Sequence, residues 1–133
     1  MRRLLLGLCL LLGGCSQWLF YPQAGLPVTP AVLQLDYRDV YLQAADGTRL
    51  HAWWLPAAPG VAPRGTVLHL HGNGGNLAWH LQGVAWLPAQ GYQVLMLDYR
   101  GYGLSAGKPR LPEVYQDIDA AFAWLAQAPD VQG

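Results

Sequence analysis

Two β-like runs, Arg38 to Gln43 and Thr48 to Leu55, flank the tetrapeptide Ala44-Ala45-Asp46-Gly47. Asp-Gly between such runs is a strong hairpin signal, because the tight turn needs positive φ. Gly65-Thr66-Val67-Leu68-His69-Leu70-His71 is a short run bounded by turn residues, and it predicts a central strand. Asn76 predicts the cap of a helix running to about Gln90, with Leu77, Leu81, Val84 and Leu87 on one face. Pro88 disturbs its last turn and Gly91 supplies a stop. Tyr92 to Leu97 predicts a second strand, apolar on both faces as buried parallel strands are. Pro112 then opens a second helix that puts Val114, Ile118, Ala121 and Leu125 on one stripe and ends near Ala128. An antiparallel hairpin followed by β-α-β-α predicts an α/β sheet covered on both faces. Upstream, Pro22 to Pro30 holds three prolines and one glycine and predicts an extended connector. There is no internal repeat and no low-complexity tract.

Composition narrows the class. At 133 residues the chain has the length of a single domain. Apolar types are 53% and charged types 12%, about half the usual share of charge. Eight Lys and Arg balance eight Asp and Glu, so no field draws nucleic acid or acidic partners. Disorder and a disulfide scaffold are excluded on the same grounds.

The N-terminus carries a different signal. Met1-Arg2-Arg3 is basic, and Leu4 to Gly14 has no charge. A spanning helix needs about 20 apolar residues, so this run is too short to cross a bilayer and reads as a secretory signal. Its end, Leu12-Gly13-Gly14-Cys15, resembles the bacterial lipoprotein box. That resemblance implies removal of residues 1–14, acylation of Cys15, and a mature chain of 119 residues without a disulfide partner for Cys15. A plain signal peptide, or a buried helix with an incidental cysteine, is the alternative. Each acyl CH₂ buried in lipid contributes about 0.8 kcal/mol, so several chains anchor stably. Ser16 stands where Asp would usually retain the protein in the inner membrane, which predicts the outer membrane, facing the periplasm. Trp18-Leu19-Phe20-Tyr21 suits either the lipid headgroup region or a hydrophobic clasp onto the domain. The expected organisation is a signal peptide over 1–14, anchor and linker over 15–34, and a globular part over 35–133.

The loops after the two central strands are more specific. They read His71-Gly72-Asn73-Gly74-Gly75-Asn76 and Asp98-Tyr99-Arg100-Gly101-Tyr102-Gly103-Leu104-Ser105-Ala106-Gly107. Ligands of open α/β sheets bind at this edge, and amides at 73–75, just ahead of a helix, suit an anion or a developing oxyanion. Here the chain resembles the α/β-hydrolases, nearest to the membrane-anchored, serine-aminopeptidase-like subgroup with HGNxGN and DYRGYGxSxG loops. The resemblance spans about residues 35–130. It implies an N-terminal half of the hydrolase fold in which His71-Gly72 opens the oxyanion loop. The Asn73 backbone N–H is then one oxyanion donor, with Gly74 a second candidate. Asp98 to Gly107 becomes a structural loop, its backbone fixed by local hydrogen bonds from Asp98 and Arg100.

Gly103-Leu104-Ser105-Ala106-Gly107 matches the G-x-S-x-G elbow pattern. A nucleophile elbow, however, puts Ser on a sharp strand-to-helix turn, and here the strand ends near Asp98 while the helix waits until about Pro112. The triad order of the fold is Ser, acid, His, and all four histidines (51, 69, 71 and 80) precede Ser105. Ser105 is therefore expected to be structural, and no nucleophile, acid or late histidine is found. The expectation is the N-terminal portion of a lipid-anchored serine hydrolase acting on an ester, thioester or amide. It supplies the oxyanion loop, is inactive alone, and its exposed strand edge makes it poorly soluble. The alternative is a non-catalytic lipoprotein module that binds a lipid or a partner; an Asp nucleophile, as in dehalogenases, is a third reading.

The remaining chemistry-bearing residues read as structural. His69-x-His71 puts two imidazoles on one strand face, but no third ligand is suitably spaced, so no metal is expected. The glycine-rich loop lacks the Gly-Lys-Ser/Thr ending of a phosphate loop, and no cofactor is expected. Trp53, Trp54, Trp79, Trp86 and Trp124 read as core and helix-face packing, and His51 and His80 as partly exposed. Asp117 and Asp119 point away from one another on a helix and form no dyad.

Overall fold

A computed structural model describes residues 18–131. The expected signal peptide and Cys15 lie outside the described residues. The short strand β1 (Tyr21–Pro22) leads into a 3₁₀ turn at Pro30–Leu33. The hairpin follows as β2 (Arg38–Gln43) and β3 (Arg49–Leu55), then β4 (Gly65–Leu70) and a second short strand, β5 (Gly74–Gly75). The helix α1 (Leu77–Val84), β6 (Tyr92–Asp98) and α2 (Val114–Leu125) complete the order.

The main sheet runs β2-β3-β6-β4, with β4 and β6 parallel and the other pairings antiparallel. The later strand β6 thus inserts between β3 and β4. Strand alternation sends side chains to two separate cores, as a doubly covered sheet requires. Ala52, Trp54, Leu95 and Leu97 meet α2 through Ala121 and Trp124 on one face. Trp53, Leu55, Val94 and Met96 meet Leu77, Leu81 and Val84 of α1 on the other. Trp54 and Trp124 pack edge to face with centroids 5.4 Å apart, so three of the five tryptophans read as packing are packed.

Four expectations need correction. The helix after Asn76 stops at Val84: Ala85–Leu87 form turns, Pro88 opens a 3₁₀ turn, and Gly91 closes it at φ +85°. Pro88 has no N–H for a helical bond, which shortens the element. Second, Trp79 and Trp86 are exposed (64% and 59%): Trp79 lies off the stripe of α1 that Leu77, Ala78, Leu81 and Val84 bury, and Trp86 falls in the turns after the helix ends. Third, His51 is fully buried, because β3 is an internal strand.

Finally, the segment after Phe20 is a strap and not a free connector. β1 pairs in parallel with β5 (Tyr21 with Gly74, Pro22 with Gly75), and Gly25 and Gly103 tie the strap to the later loop. Asn76 donates from Nδ2 to the carbonyls of Gln23 and Gly25 while its Oδ1 caps α1 through the Ala78 amide.

Candidate functional site

The two glycine-rich loops meet at the C-terminal edge of β4 and β6. Asp98, fully buried at the end of β6, accepts at Oδ1 from His71 Nε2 (3.1 Å) and from the Leu77 amide at the start of α1 (2.8 Å). One carboxylate therefore holds the first residue of the loop and the helix that follows it. His71 Nδ1 lies 2.7 Å from the Gly72 carbonyl, so both ring nitrogens face protein oxygens. The His71 ring packs between His80 (5.4 Å, stacked) and the rings of Tyr99 and Tyr102 (4.8 and 5.0 Å).

Asn73 is pinned from several directions. Its carbonyl accepts from the Tyr21 amide (2.8 Å) and the Tyr102 hydroxyl (2.7 Å), and its Nδ2 donates to the Leu19 carbonyl (2.7 Å). The Tyr99 hydroxyl donates in the same way to the His71 carbonyl. Among the described residues no hydrogen bond takes up the Asn73 amide. Asn73, Gly72 and His71 line a cleft of about 180 Å³ whose other walls are Phe20, the two tyrosines, and Leu111, Val114 and Ile118. Gly74 lies one residue beyond that lining, paired with Tyr21. Burial raises both phenols, Tyr99 to about 12, so both stay neutral donors.

Arg100 acts over long range, which corrects the expectation of local bonds. Its Nε, Nη2 and backbone N–H all donate to Asp117 on α2, and its Nη1 donates to Asp46 in the hairpin turn (2.7 Å). Asp117 is fully buried and Arg100 nearly so. An acidic residue inside the apolar stripe of α2 was the available signal, because a buried carboxylate needs a cation.

Asp46 is held at about 2 by hydrogen bonds from the Thr48 hydroxyl and amide and from Arg100. Its folded value lies below the unfolded 3.8, so its contribution to stability is complete above that pH and is lost as the pH falls through about 2. Asp46→Asn should flatten the acid limb of the melting-temperature profile in that window; an unchanged limb would contradict the contact.

Ser105 is a brace. Its hydroxyl donates to the Asp98 carbonyl (2.7 Å) and accepts from the His51 amide (2.9 Å), closing the end of the β3–β6 ladder. Ser105→Ala should cost about 1–3 kcal/mol in urea unfolding. Ester hydrolysis by this chain that disappeared in that variant would contradict the structural role.

His69 and His80 stand near His71, and burial, then the neighbouring imidazoles, lowers the His69 pKa. Among the described residues no group of three or more His, Cys, Asp or Glu is placed to hold a metal ion.

Residues 61–130 match the family model described as serine aminopeptidase, S33. The chain belongs to that family. Alpha/beta hydrolase domain-containing protein WAV2 of Arabidopsis thaliana is 41% identical over 107 residues, covering 79% of this chain and 34% of that protein. Protein YfhR of Escherichia coli K12 is 39% identical over 95 residues, 70% of this chain and 34% of the relative. Pyrococcus furiosus esterase Pf2001 superposes with a TM-score of 0.68 at 29% identity, over 86% of this chain and 43% of the esterase. The fold is thus that of an α/β-hydrolase, and the sheet order described above is part of it. The chain spans about a third of the length of the curated relatives it matches.

Proposed function

We propose that this chain is the N-terminal portion of a lipid-anchored serine hydrolase and that it contributes the oxyanion loop. The observation that carries the reading is Asn73: carbonyl and side chain are held by Tyr21, Tyr102 and Leu19, while its amide, beside an apolar cleft, has no acceptor among the described residues. A fixed donor of this kind lowers the energy of a tetrahedral oxyanion, because no reorganisation is needed as charge develops. It polarises a carbonyl but cannot attack one, so the nucleophile, its acid and its histidine belong to sequence beyond residue 133. Gly74 is the second candidate donor.

The substrate class is an ester, thioester or amide, either a small molecule or a lipid ester, handled without a cofactor. Kinship with a serine aminopeptidase family and likeness to an esterase support this class. The Cys15 box and Ser16 support attachment to the outer membrane facing the periplasm; an unmodified Cys15 thiol by mass spectrometry in the native host would contradict the anchor. Reading the gene past codon 133 tests the hydrolase. An in-frame strand followed by G-x-S-x-G, in a product that reacts with a fluorophosphonate, is the expected result. A stop codon at that point, with a sharp cooperative melt from monomeric chain, would favour the non-catalytic binding module.

A further inference from the structure

The distribution of charge over the molecule is uneven. Between Arg3 and Asp36, and again between Arg64 and Asp98, the sequence contains no Asp, Glu, Lys or Arg. Burial explains this for β6, an inner strand, but β4 is the edge strand of the sheet among the described residues and is only partly buried. It does not explain it for α1 and the strap, which are on the surface. α1 has neither an acidic residue in its first turn nor a basic one in its last, and it presents Trp79 to solvent at 64% exposure. Beside it the 3₁₀ turn presents Val32 at 61% and Leu33 at 38%. Together with Val28 and Trp79 these line an apolar groove of about 420 Å³. The Trp79 ring lies over Gly75, so close that a Cβ there would come within 3.1 Å of it, and Gly75 pairs with Pro22 of the strap. From Pro22 the strap runs back to Tyr21 and Trp18, exposed at 67% and 76%.

A surface helix normally carries charge opposite its buried stripe. Contiguous exposed apolar surface that lacks charge and is rich in Trp and Tyr matches the chemistry of a lipid interface, where aromatic rings settle at headgroup depth. The chain outside the described residues points the same way. The strap ends at Trp18, three residues after Cys15, and the apolar run from Leu4 lies before it. A lipid anchor at that position would hold the start of the strap, which pairs with Gly75 beside Trp79, close to the bilayer.

We propose that the charge-free face formed by the strap, the 3₁₀ turn and α1 is a bilayer-docking surface, seated among lipid headgroups through Trp79, Val32 and Leu33. Docking is apolar, so it needs no anionic lipid and is insensitive to salt. It also brings the Asn73 cleft, one wall of which is Phe20 of the strap, to the membrane surface. If the Proposed function holds, the substrate is then a lipid ester taken from the bilayer. The docking surface itself requires neither catalysis nor acylated Cys15, so its failure is distinguishable from failure of that reading.

The test is hydrogen exchange on the full chain with and without phosphatidylcholine vesicles, at low and high salt. Residues 27–33 and 77–84 should gain protection on vesicles at both salt concentrations. Trp79→Ser with Val32→Ser should weaken vesicle partition of the full chain by about tenfold or more, since two large apolar contacts with lipid are lost. The anchor is common to both proteins, so the ratio reads the face alone. Unchanged exchange at 27–33 and 77–84 in vesicle-bound protein would overturn the proposal. Equal protection on raising protein concentration without lipid would also overturn it, since a second copy would then cover the face.

Discussion

Asp117→Ala is expected to destabilise the domain by about 3–5 kcal/mol, a large part of the 5–15 kcal/mol typical of a natural domain. Asp117 is wholly buried and accepts three kinds of donor from Arg100: its backbone amide, Nε and Nη2. Its removal leaves a guanidinium in the interior with Asp46 as its other carboxylate. Most of the cost is that stranded charge and not the lost attraction, because the Coulombic gain of a buried pair is largely offset by desolvation. The double variant Arg100→Met with Asp117→Leu removes both charges and should recover most of the loss. Urea unfolding checks both, with the midpoint shifting at nearly constant slope. A loss below about 1 kcal/mol for Asp117→Ala would show the pair to be solvated, contrary to the geometry.

Gly103→Ala has the second large effect, and it acts on the site. Gly103 has φ +51°, and a Cβ built there overlaps Asp98 Oδ2 and meets Leu26 Cδ2 at 3.2 Å. The carboxylate that must move is the one holding His71 and the Leu77 amide, so the substitution disturbs the oxyanion loop from behind. Backbone strain and overpacking together predict a loss of about 2–4 kcal/mol. Gly47→Ala is the control: Gly47 also has positive φ (+84°) but has nothing within 4 Å of its Cβ position. It should cost about 1 kcal/mol, the backbone part alone. Thermal melts of the two variants separate the overlap from the strain. Equal losses would mean that Asp98 yields freely and does not hold the loop.

Local rules carried far in this chain. The hairpin strands, the turn at Asp46-Gly47, the strands β4 and β6 and the Asn76 cap were readable because periodicity and capping act over a few residues. β4, expected to be central, nevertheless lies at the sheet edge among the described residues. The fold class followed from their order. Three features were not readable, and each depends on contacts distant in sequence. β6 inserts between β3 and β4, a choice of partner that a strand's own pattern does not encode. Arg100 reaches 54 residues back to Asp46 and 17 forward to Asp117. The strap joins Tyr21 to Asn73 and Gln23 to Gly103. Around the cleft, the histidine and glycine of the loop were read from their motif. The Tyr99 and Tyr102 hydroxyls that steady the loop carbonyls were not, because a tyrosine in a glycine-rich loop has no periodicity to give its direction away.

The most direct test of Asn73 as an oxyanion donor is a crystal structure of the phosphonate adduct formed by the protein with its full downstream sequence. The phosphoryl oxygen should lie about 2.7–3.1 Å from the Asn73 backbone nitrogen, with Tyr102 still bonded to the Asn73 carbonyl. An adduct whose phosphoryl oxygen is held by other donors, with the Asn73 amide facing only solvent, would contradict the account.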